Sequence, residues 1–508
     1  MTATTTAPPS PAVTTHGPRA SWTAVFALAA FEGRRLLCRV PVLVAFAVYL
    51  VWTVWRTHGA YDGHPALQDV DRATQGPPVL VGLAVLLGVH QAVLRSRRYD
   101  TDRHLSVLVV QPWRRTAAHL LSVVPVALLV AVCVGAQFAW QALKPTAVGH
   151  GSPAELLVGP LSVLLFGAFG VLLGRLLPVP LAAPLLIVSL LLFSVFASGP
   201  PGAAGWSRWL VPSVGENSFA TLPSDLIGRP AAWHALYLAG LALSVALAAL
   251  LFSGGARLWS VRAGAAAAVA LTLVGAVGQS RGVPEETAEA RVRATVAPEK
   301  TQRCVARDAT VYCAFPEWEP RTGEWAAVVD DVRSLAGGGA EKRPLTVRQR
   351  IEARHGLDGD AALAASPRPG EVTVGTSWGG NRTPEFAVAV AVVLVTGREE
   401  AAGAMCDGRI VTVMWTALAG RPDPVTDLRR VRLDDSATGG AVVLSQTETL
   451  QMTAAHTEVL RALLDLPRDE AAARVKGNWA ELTAPEVTTR RVAQVLGLGA
   501  PEGEDECQ

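Results

Sequence analysis

Seven long apolar stretches occupy residues 41–279, and beyond residue 282 they give way to the shorter apolar runs and mixed charge of a water-soluble region. A helix rises about 1.5 Å per residue, so a hydrocarbon core of about 30 Å takes roughly 20 apolar residues. The candidate spans are 41–55, 78–94, 117–142, 155–174, 179–198, 233–253 and 263–279. The first is short, but Arg39 and Arg56 bracket it and can snorkel to the headgroups. The last is also short and rich in alanine. Residues 21–40 are too broken to span. Their apolar stretch ends in Glu32, Arg34, Arg35 and Arg39, which predicts an amphipathic helix lying on a membrane surface. Residues 1–20 are rich in Thr, Pro and Ala, lack the basic cluster of a cleavable signal, and read as a disordered tail.

The predicted fold is thus an α-helical transmembrane bundle of about seven spans (41–282), followed by an extracytoplasmic α+β domain (283–508) that is mostly helical toward its C-terminus. In the domain, strand-like pieces fall at 291–297, 304–315 and 371–376. Helices are expected at 383–397, 409–419, 449–464, 468–480 and 485–497. Thr383-Pro384-Glu385 is a strong helix start: a capping hydroxyl, a proline in the first turn, then an acid. The run after it is too short to span and predicts a buried core helix.

Charge orients the bundle. Half of the residues are hydrophobic and only 17% are charged, below the roughly 25% of soluble proteins. Residues 1–282 carry 19 basic and nine acidic side chains, and 283–508 carry 26 and 34. The basic excess lies between apolar spans, which fits anionic lipid at the inner leaflet and argues against a nucleic-acid partner. With the N-terminus in the cytoplasm, 13 basic residues fall in inner segments and six in outer ones. Seven crossings then leave 283–508 outside the cytoplasm; without the crossing at 263–279 the domain would lie inside.

Cys304 and Cys313 flank VARDATVY, a short hairpin pattern turning at Arg307-Asp308, and a disulfide across it would suit an oxidising exterior. The pairing of Cys406 and Cys507 stays open, and Cys38 and Cys133 read as ordinary apolar side chains. Polar groups near the spans are few: His90, Gln91, Gln137, Gln141 and His234, most of them read as solvated at an interface. No span carries a carboxylate or lysine at mid-membrane, which argues against a proton-coupled carrier. No G-x-x-x-x-G-K-[ST] sequence occurs, so phosphates of ATP are not cradled here by that route.

Between the second and third stretches runs RSRRYDTDRHLSVLVVQPWRRTAAHLL (95–121), an apolar centre between two arginine clusters. The clusters alone would serve as topological anchors, whereas Leu105, Val107, Leu108 and Val109 predict a short helix that docks on a partner. Together with FEGRRLLCRVP before the first span, GWSRWLVPSVGENSFATLP between the fifth and sixth, and RPAAWHALYLAGLALSVALAALL opening the sixth, this loop resembles the permease subunits of ABC-type exporters of the type-two drug and polysaccharide class. CVARDATVYCAFPEW is similar to a stretch in actinobacterial members with an appended outer domain. The resemblance implies that the loop couples to an ATPase through Arg97, Arg98, Asp100, Asp102, Arg103, His104 and Leu105. His104 stands where the family often has glutamate. It also implies a separate ATPase subunit that holds the ATP, a second permease copy or relative, and no cofactor on this chain.

Two catalytic patterns bear on the C-terminal region. Gly375-Thr376-Ser377-Trp378-Gly379 matches G-x-S-x-G and is followed by Asp434 or Asp435 and His456, the chain order of a serine hydrolase. The elbow should lead straight into a helix, but Gly380, Asn381 and Pro384 intervene, and no oxyanion loop appears. The histidines of the domain, His355 and His456, belong to no H-E-x-x-H, and Glu458 is wrongly spaced for a zinc peptidase helix. The expectation is a non-catalytic exporter subunit. The alternatives are a membrane-anchored sensor or scaffold whose outer domain binds a ligand without transport, and a membrane-tethered hydrolase.

Overall fold

The structure, a computed structural model, describes residues 18–98, 111–197, 209–214, 221–354 and 363–502. It is mostly helical, with a small sheet-containing C-terminal region. Six helical segments among the described residues are long and apolar enough to cross a membrane: Val40–Gly59, Leu67–Arg95, Pro112–Ala142, Pro153–Leu176, Ala231–Phe252 and Trp259–Val296. The stretch expected at 179–198 forms a shorter apolar helix, Ala182–Ala197.

We number the helices of this part α1 (Pro18–Leu37), α2 (Val40–Gly59), α3 (Leu67–Ala73), α4 (Pro78–Arg98), α5 (Pro112–Leu121), α6 (Val124–Ala142), α7 (Pro153–Leu176), α8 (Ala182–Ala197), α9 (Ala231–Phe252) and α10 (Trp259–Ser280). The sequence ran α5 and α6 together. They separate at Ser122 and Val123, because Pro125 in the first turn of α6 has no amide to continue the ladder. Valines knit α4, α6 and α7 together, among them Val81, Val85, Val126, Val130, Val163 and Val171. Small residues bring backbones close. A Cβ on Gly170 of α7 would lie 2.5 Å from the Leu86 carbonyl oxygen of α4, and one on Gly275 of α10 would lie 2.5 Å from the Tyr237 amide of α9. Outward faces such as Val44, Val51, Trp52 and Trp55 of α2 stay exposed, as a lipid-facing surface requires.

The C-terminal region holds α11 (Glu285–Val296), α12 (Thr322–Leu335), α13 (Arg382–Thr396), α14 (Arg409–Leu418), α15 (Pro424–Val431), α16 (Ala454–Leu464), α17 (Arg468–Gly477), α18 (Trp479–Leu482) and α19 (Thr489–Leu496). Strands β1 (Arg303–Arg307), β2 (Thr310–Ala314), β3 (Leu345–Gln349) and β4 (Glu371–Val374) form one sheet in sequence order. The first pair is antiparallel and the other two are parallel, with α12 crossing between β2 and β3. Strands β5 (Ala441–Leu444) and β6 (Thr449–Met452) make a separate hairpin.

Cys304 lies opposite Cys313 in the β1–β2 register, and the two form a disulfide. Cys406 is also disulfide-bonded, and Cys507 lies outside the described residues. Helix α13 is the expected buried core helix, with every residue from Pro384 to Val395 buried, but it starts at Arg382 after Asn381 and no side chain caps it, so Thr383 lies inside the first turn instead of capping it.

Two readings are corrected. Residues 291–297, with apolar positions alternating at Val292, Ala294 and Val296, fold mostly as the end of α11. Glu285 and Glu286 favour that helix's first turn, and the buried pair is Arg291 and Ala294, a helical spacing. Residues 449–464 are not one helix. Thr449–Met452 pairs with β5, and Thr453 then caps α16.

Candidate functional site at the bundle–domain junction

The polar chemistry of the bundle collects at the end that faces the C-terminal domain. The chain leaving α2 turns through residues 60–66, where Ala66 bridges to Val148, with Leu67 donating to the Val148 carbonyl at 2.9 Å. This sets α3 beneath the loop 143–152. Asp71 of α3 is fully buried; its Oδ2 accepts from the Ser152 amide at 2.6 Å and from Arg229 Nη1 at 3.0 Å. Its Oδ1 finds no partner among the described residues. Glu155, in the first turn of α7 and 1% exposed, accepts from Gln75, whose carbonyl oxygen accepts in turn from the Val214 amide at 2.8 Å. Gln68 donates to the Leu222 carbonyl at 2.7 Å, and Thr221 donates to Asp69 at 2.5 Å. Two buried carboxylates, two glutamines and one arginine thus pin together segments that start four different helices.

The domain supplies the other wall. Arg321, 2% exposed, donates through Nη2 to the carbonyls of His64 at 3.0 Å and Thr146 at 3.1 Å. Burial pulls its pKa down to about 10, against a small opposing pull from Glu324. Glu324 Oε2 sits 3.0 Å from His64 Nε2. Burial raises the pKa of that carboxyl, but hydrogen bonds from His64 and Trp378 and the charges of His64 and Arg321 outweigh it and leave the pKa lowered. Nearby, burial chiefly, helped by Asp69, pushes the Tyr61 phenol up to about 12.

Gly379 and Gly380, both with positive φ, lie directly on the 62–64 turn; a Cβ on Gly380 would overlap the Asp62 carboxylate. Apolar packing follows the same line. Ala66, Val148, Leu222, Leu226 and Ile227 belong to one continuous core with Trp318, Trp325, Trp378 and Phe386.

The G-x-S-x-G segment is therefore a docking turn. Trp318 Nε1 donates to the Thr376 carbonyl at 3.0 Å, Thr376 donates to the Thr221 carbonyl, and the Gly375 amide donates to Gln446 at 3.1 Å. His456 closes the capping box of α16: its Nδ1 accepts from the Thr453 amide at 3.0 Å. Asp434 accepts from Ser436 and pairs with Arg432, and the Ser436 hydrogen bond chiefly, with Arg432, holds its pKa down at about 2.

At the far end of the bundle, Arg97 and Arg98 lie in the last turn of α4. Asp100, Asp102, Arg103, His104 and Leu105 lie outside the described residues, as does His355. What is described there is a clamp around both ends of that segment. Glu32 of α1 forms a two-pronged pair with Arg95 of α4, at 3.0 and 3.3 Å, and Trp22 packs edge-on against Trp113 of α5. The surface helix expected at 21–40 is α1, which buries Glu32, Val25 and Leu36 against the bundle and leaves Phe26 and Phe31 exposed.

Three of the span polar groups differ from expectation. His90, Gln141 and His234 are buried, not solvated. Gln141 reaches the Thr57 carbonyl at 3.3 Å, and His234 Nδ1 meets Gln279 Oε1 at 2.9 Å, which binds the Trp209 carbonyl in turn. Asp71 and Glu155 carry no intramembrane signal of this kind in the sequence, because one falls between the apolar stretches and the other opens one. The spacing of Asp69, Asp71 and Gln75 beside an apolar stretch was the available signal. No family model, curated protein or solved structure matches this chain.

Proposed function

We propose that the chain is the membrane-spanning subunit of an ATP-driven exporter, coupling a separate ATPase subunit to movement of a substrate across the cytoplasmic membrane. The observation that carries this reading is the clamp at the far end. A push on the segment between Arg98 and Gln111 reaches α4 and α5 directly, and α1 through Glu32–Arg95 and Trp22–Trp113. In this reading the segment is the coupling loop, with Arg97, Arg98, Asp100, Asp102, Arg103, His104 and Leu105 at the contact. The permease works as a dimer with a second copy or a relative.

Orientation follows from the arginine bias, which favours a cytoplasmic N-terminus, and from the Cys304–Cys313 bond, which favours an oxidising, extracytoplasmic domain. Helix α8 supports a seventh crossing. The chain leaves α7 at the far end and re-enters beside Asp71 at Arg229, and Ala182–Ala197 is the described helix in between. Its 16 residues reach about 24 Å, enough for a thinned bilayer.

The test is co-purification of the tagged chain from its native host in mild detergent. An ATP-hydrolysing partner that is retained by the wild type and lost from the Arg97→Glu/Arg98→Glu variant supports the proposal. Absence of such a partner, under conditions that keep other complexes, overturns it. The shared core at the junction favours one second reading, a sensor whose outer domain passes ligand binding to the bundle without transport. That reading predicts function in the absence of any ATPase.

A further inference from the structure

Three segments far apart in sequence meet on the open side of the junction. The loop 143–152 brings His150, the turn Ser224–Leu226 brings Asp225, and the turn Pro316–Arg321 of the domain brings Glu317. One imidazole nitrogen and one carboxylate oxygen from each acid all lie within 4.8 Å of one another. His150 Nδ1 and Glu317 Oε1 are 3.3 Å apart. Two atoms bound to one ion at about 2.1 Å and a tetrahedral angle are separated by about 3.4 Å, so this pair already stands at bonding separation. Asp225 is exposed, and its carboxylate oxygen stands within 4.8 Å of the other two ligand atoms.

The surroundings orient these ligands. The buried Ser224 amide donates to Glu317 Oε2 at 3.0 Å, which leaves Oε1 for the ion. Ser224 Oγ accepts from the His150 amide at 3.1 Å, and Arg229 Nη2 holds the His150 carbonyl at 2.7 Å. The Ser224 contact is of the kind that fixes a ligand's direction in metal sites, and the two contacts to His150 hold its backbone in place. A neutral imidazole with two carboxylates carries two negative charges, which a divalent cation balances. The donor set contains no thiolate, which disfavours soft monovalent copper, and its imidazole favours zinc, cobalt or nickel over magnesium and calcium.

We propose that His150, Asp225 and Glu317 bind one divalent transition-metal ion of the zinc class, with water completing its shell, and that the ion ties the C-terminal domain to the bundle. The proposal does not rest on the transport reading. The competing account is a protonated His150 between two carboxylates with no ion at all.

The test uses the full chain, purified in detergent and stripped with a chelator, then titrated with Co²⁺, followed by its visible absorption, and with Zn²⁺ in competition. The expected result is one equivalent bound by the wild type. The dissociation constant should rise about tenfold or more in each of His150→Ala, Asp225→Asn and Glu317→Gln, and stay unchanged in His58→Ala. Glu317→Gln keeps an acceptor for the Ser224 amide, and His150→Ala alters an exposed side chain, so both are expected to fold, as elution volume and circular dichroism would verify. A wild type that takes up no ion, or uptake that persists unchanged in both of these variants, overturns the proposal.

Discussion

Arg229 and Asp71, 158 residues apart, meet at 3.0 Å where Asp71 has no exposure to solvent. A carboxylate so placed depends on its partner. Removing one member of a buried pair leaves an uncompensated charge and costs about 3–5 kcal/mol. Arg229→Ala is therefore expected to lower the unfolding temperature of the detergent-solubilised chain. Asp71→Asn combined with Arg229→Met should recover much of the loss, and a double-mutant cycle in thermal unfolding measures the coupling.

Arg321 donates from within the domain to backbone carbonyls of the 60–66 and 143–152 segments. Arg321→Ala leaves those acceptors without their donor, at about 1–3 kcal/mol for each one that water does not reach. The expected readout is faster proteolysis in residues 60–66 and 143–152. Wild-type cleavage rates there would show that the contact does not hold the junction.

Glu324 gives the junction an acid limit. Its folded pKa lies below the ordinary value of 4.5, so its contribution is complete above about pH 4.5 and is lost as pH falls through the lower folded value. Glu324→Gln should flatten stability against pH in that range. Thermal unfolding between pH 3 and pH 6 measures this, and an unchanged slope would assign the acid sensitivity to other carboxyls.

Gly380→Ala and Ser377→Ala should separate docking from catalysis. At Gly380 the new Cβ meets Asp62 and the backbone holds φ at 50°, so the substitution should cost more than about 1 kcal/mol. Ser377→Ala should leave function intact. Loss of function in that variant, with stability unchanged, would revive the hydrolase reading.

Breaking the Cys304–Cys313 bond frees a loop of nine residues' separation, so the chain-entropy model gives a loss of about 2–3 kcal/mol. Cys304→Ser/Cys313→Ser should unfold at lower denaturant concentration than the wild type. The difference should vanish when both are studied in reductant strong enough to open the bond.

The sequence disclosed what depends on nearest neighbours along the chain. Apolar length marked six described helices long enough to cross a membrane, the apolar run after Pro384 marked the buried helix α13, and the turn at Arg307-Asp308 placed the β1–β2 hairpin. It failed where local pattern and tertiary packing disagreed. Val292, Ala294 and Val296 alternate like a strand, yet they continue a helix whose first turn is acidic. The site was the least legible part. Asp71 is buried by Ser152 and Arg229, and Gln75 by Glu155 and Val214, partners between 80 and 158 residues away. No window of sequence contains both halves of such a contact.

Leu222, Leu226 and Ile227 lie in the same core as the domain's tryptophans, which has a consequence for how the protein is made. The domain leaves the ribosome after the bundle, but one wall of its interior belongs to loops translated long before it. Those side chains must wait beside the bilayer until the final strands and helices arrive. A polypeptide begun at residue 283 would lack that wall, and one stopped at residue 282 would leave it facing water. Insertion of the bundle and maturation of the domain are therefore successive stages of a single assembly, and a ribosome stalled between them would hold an intermediate in need of a chaperone.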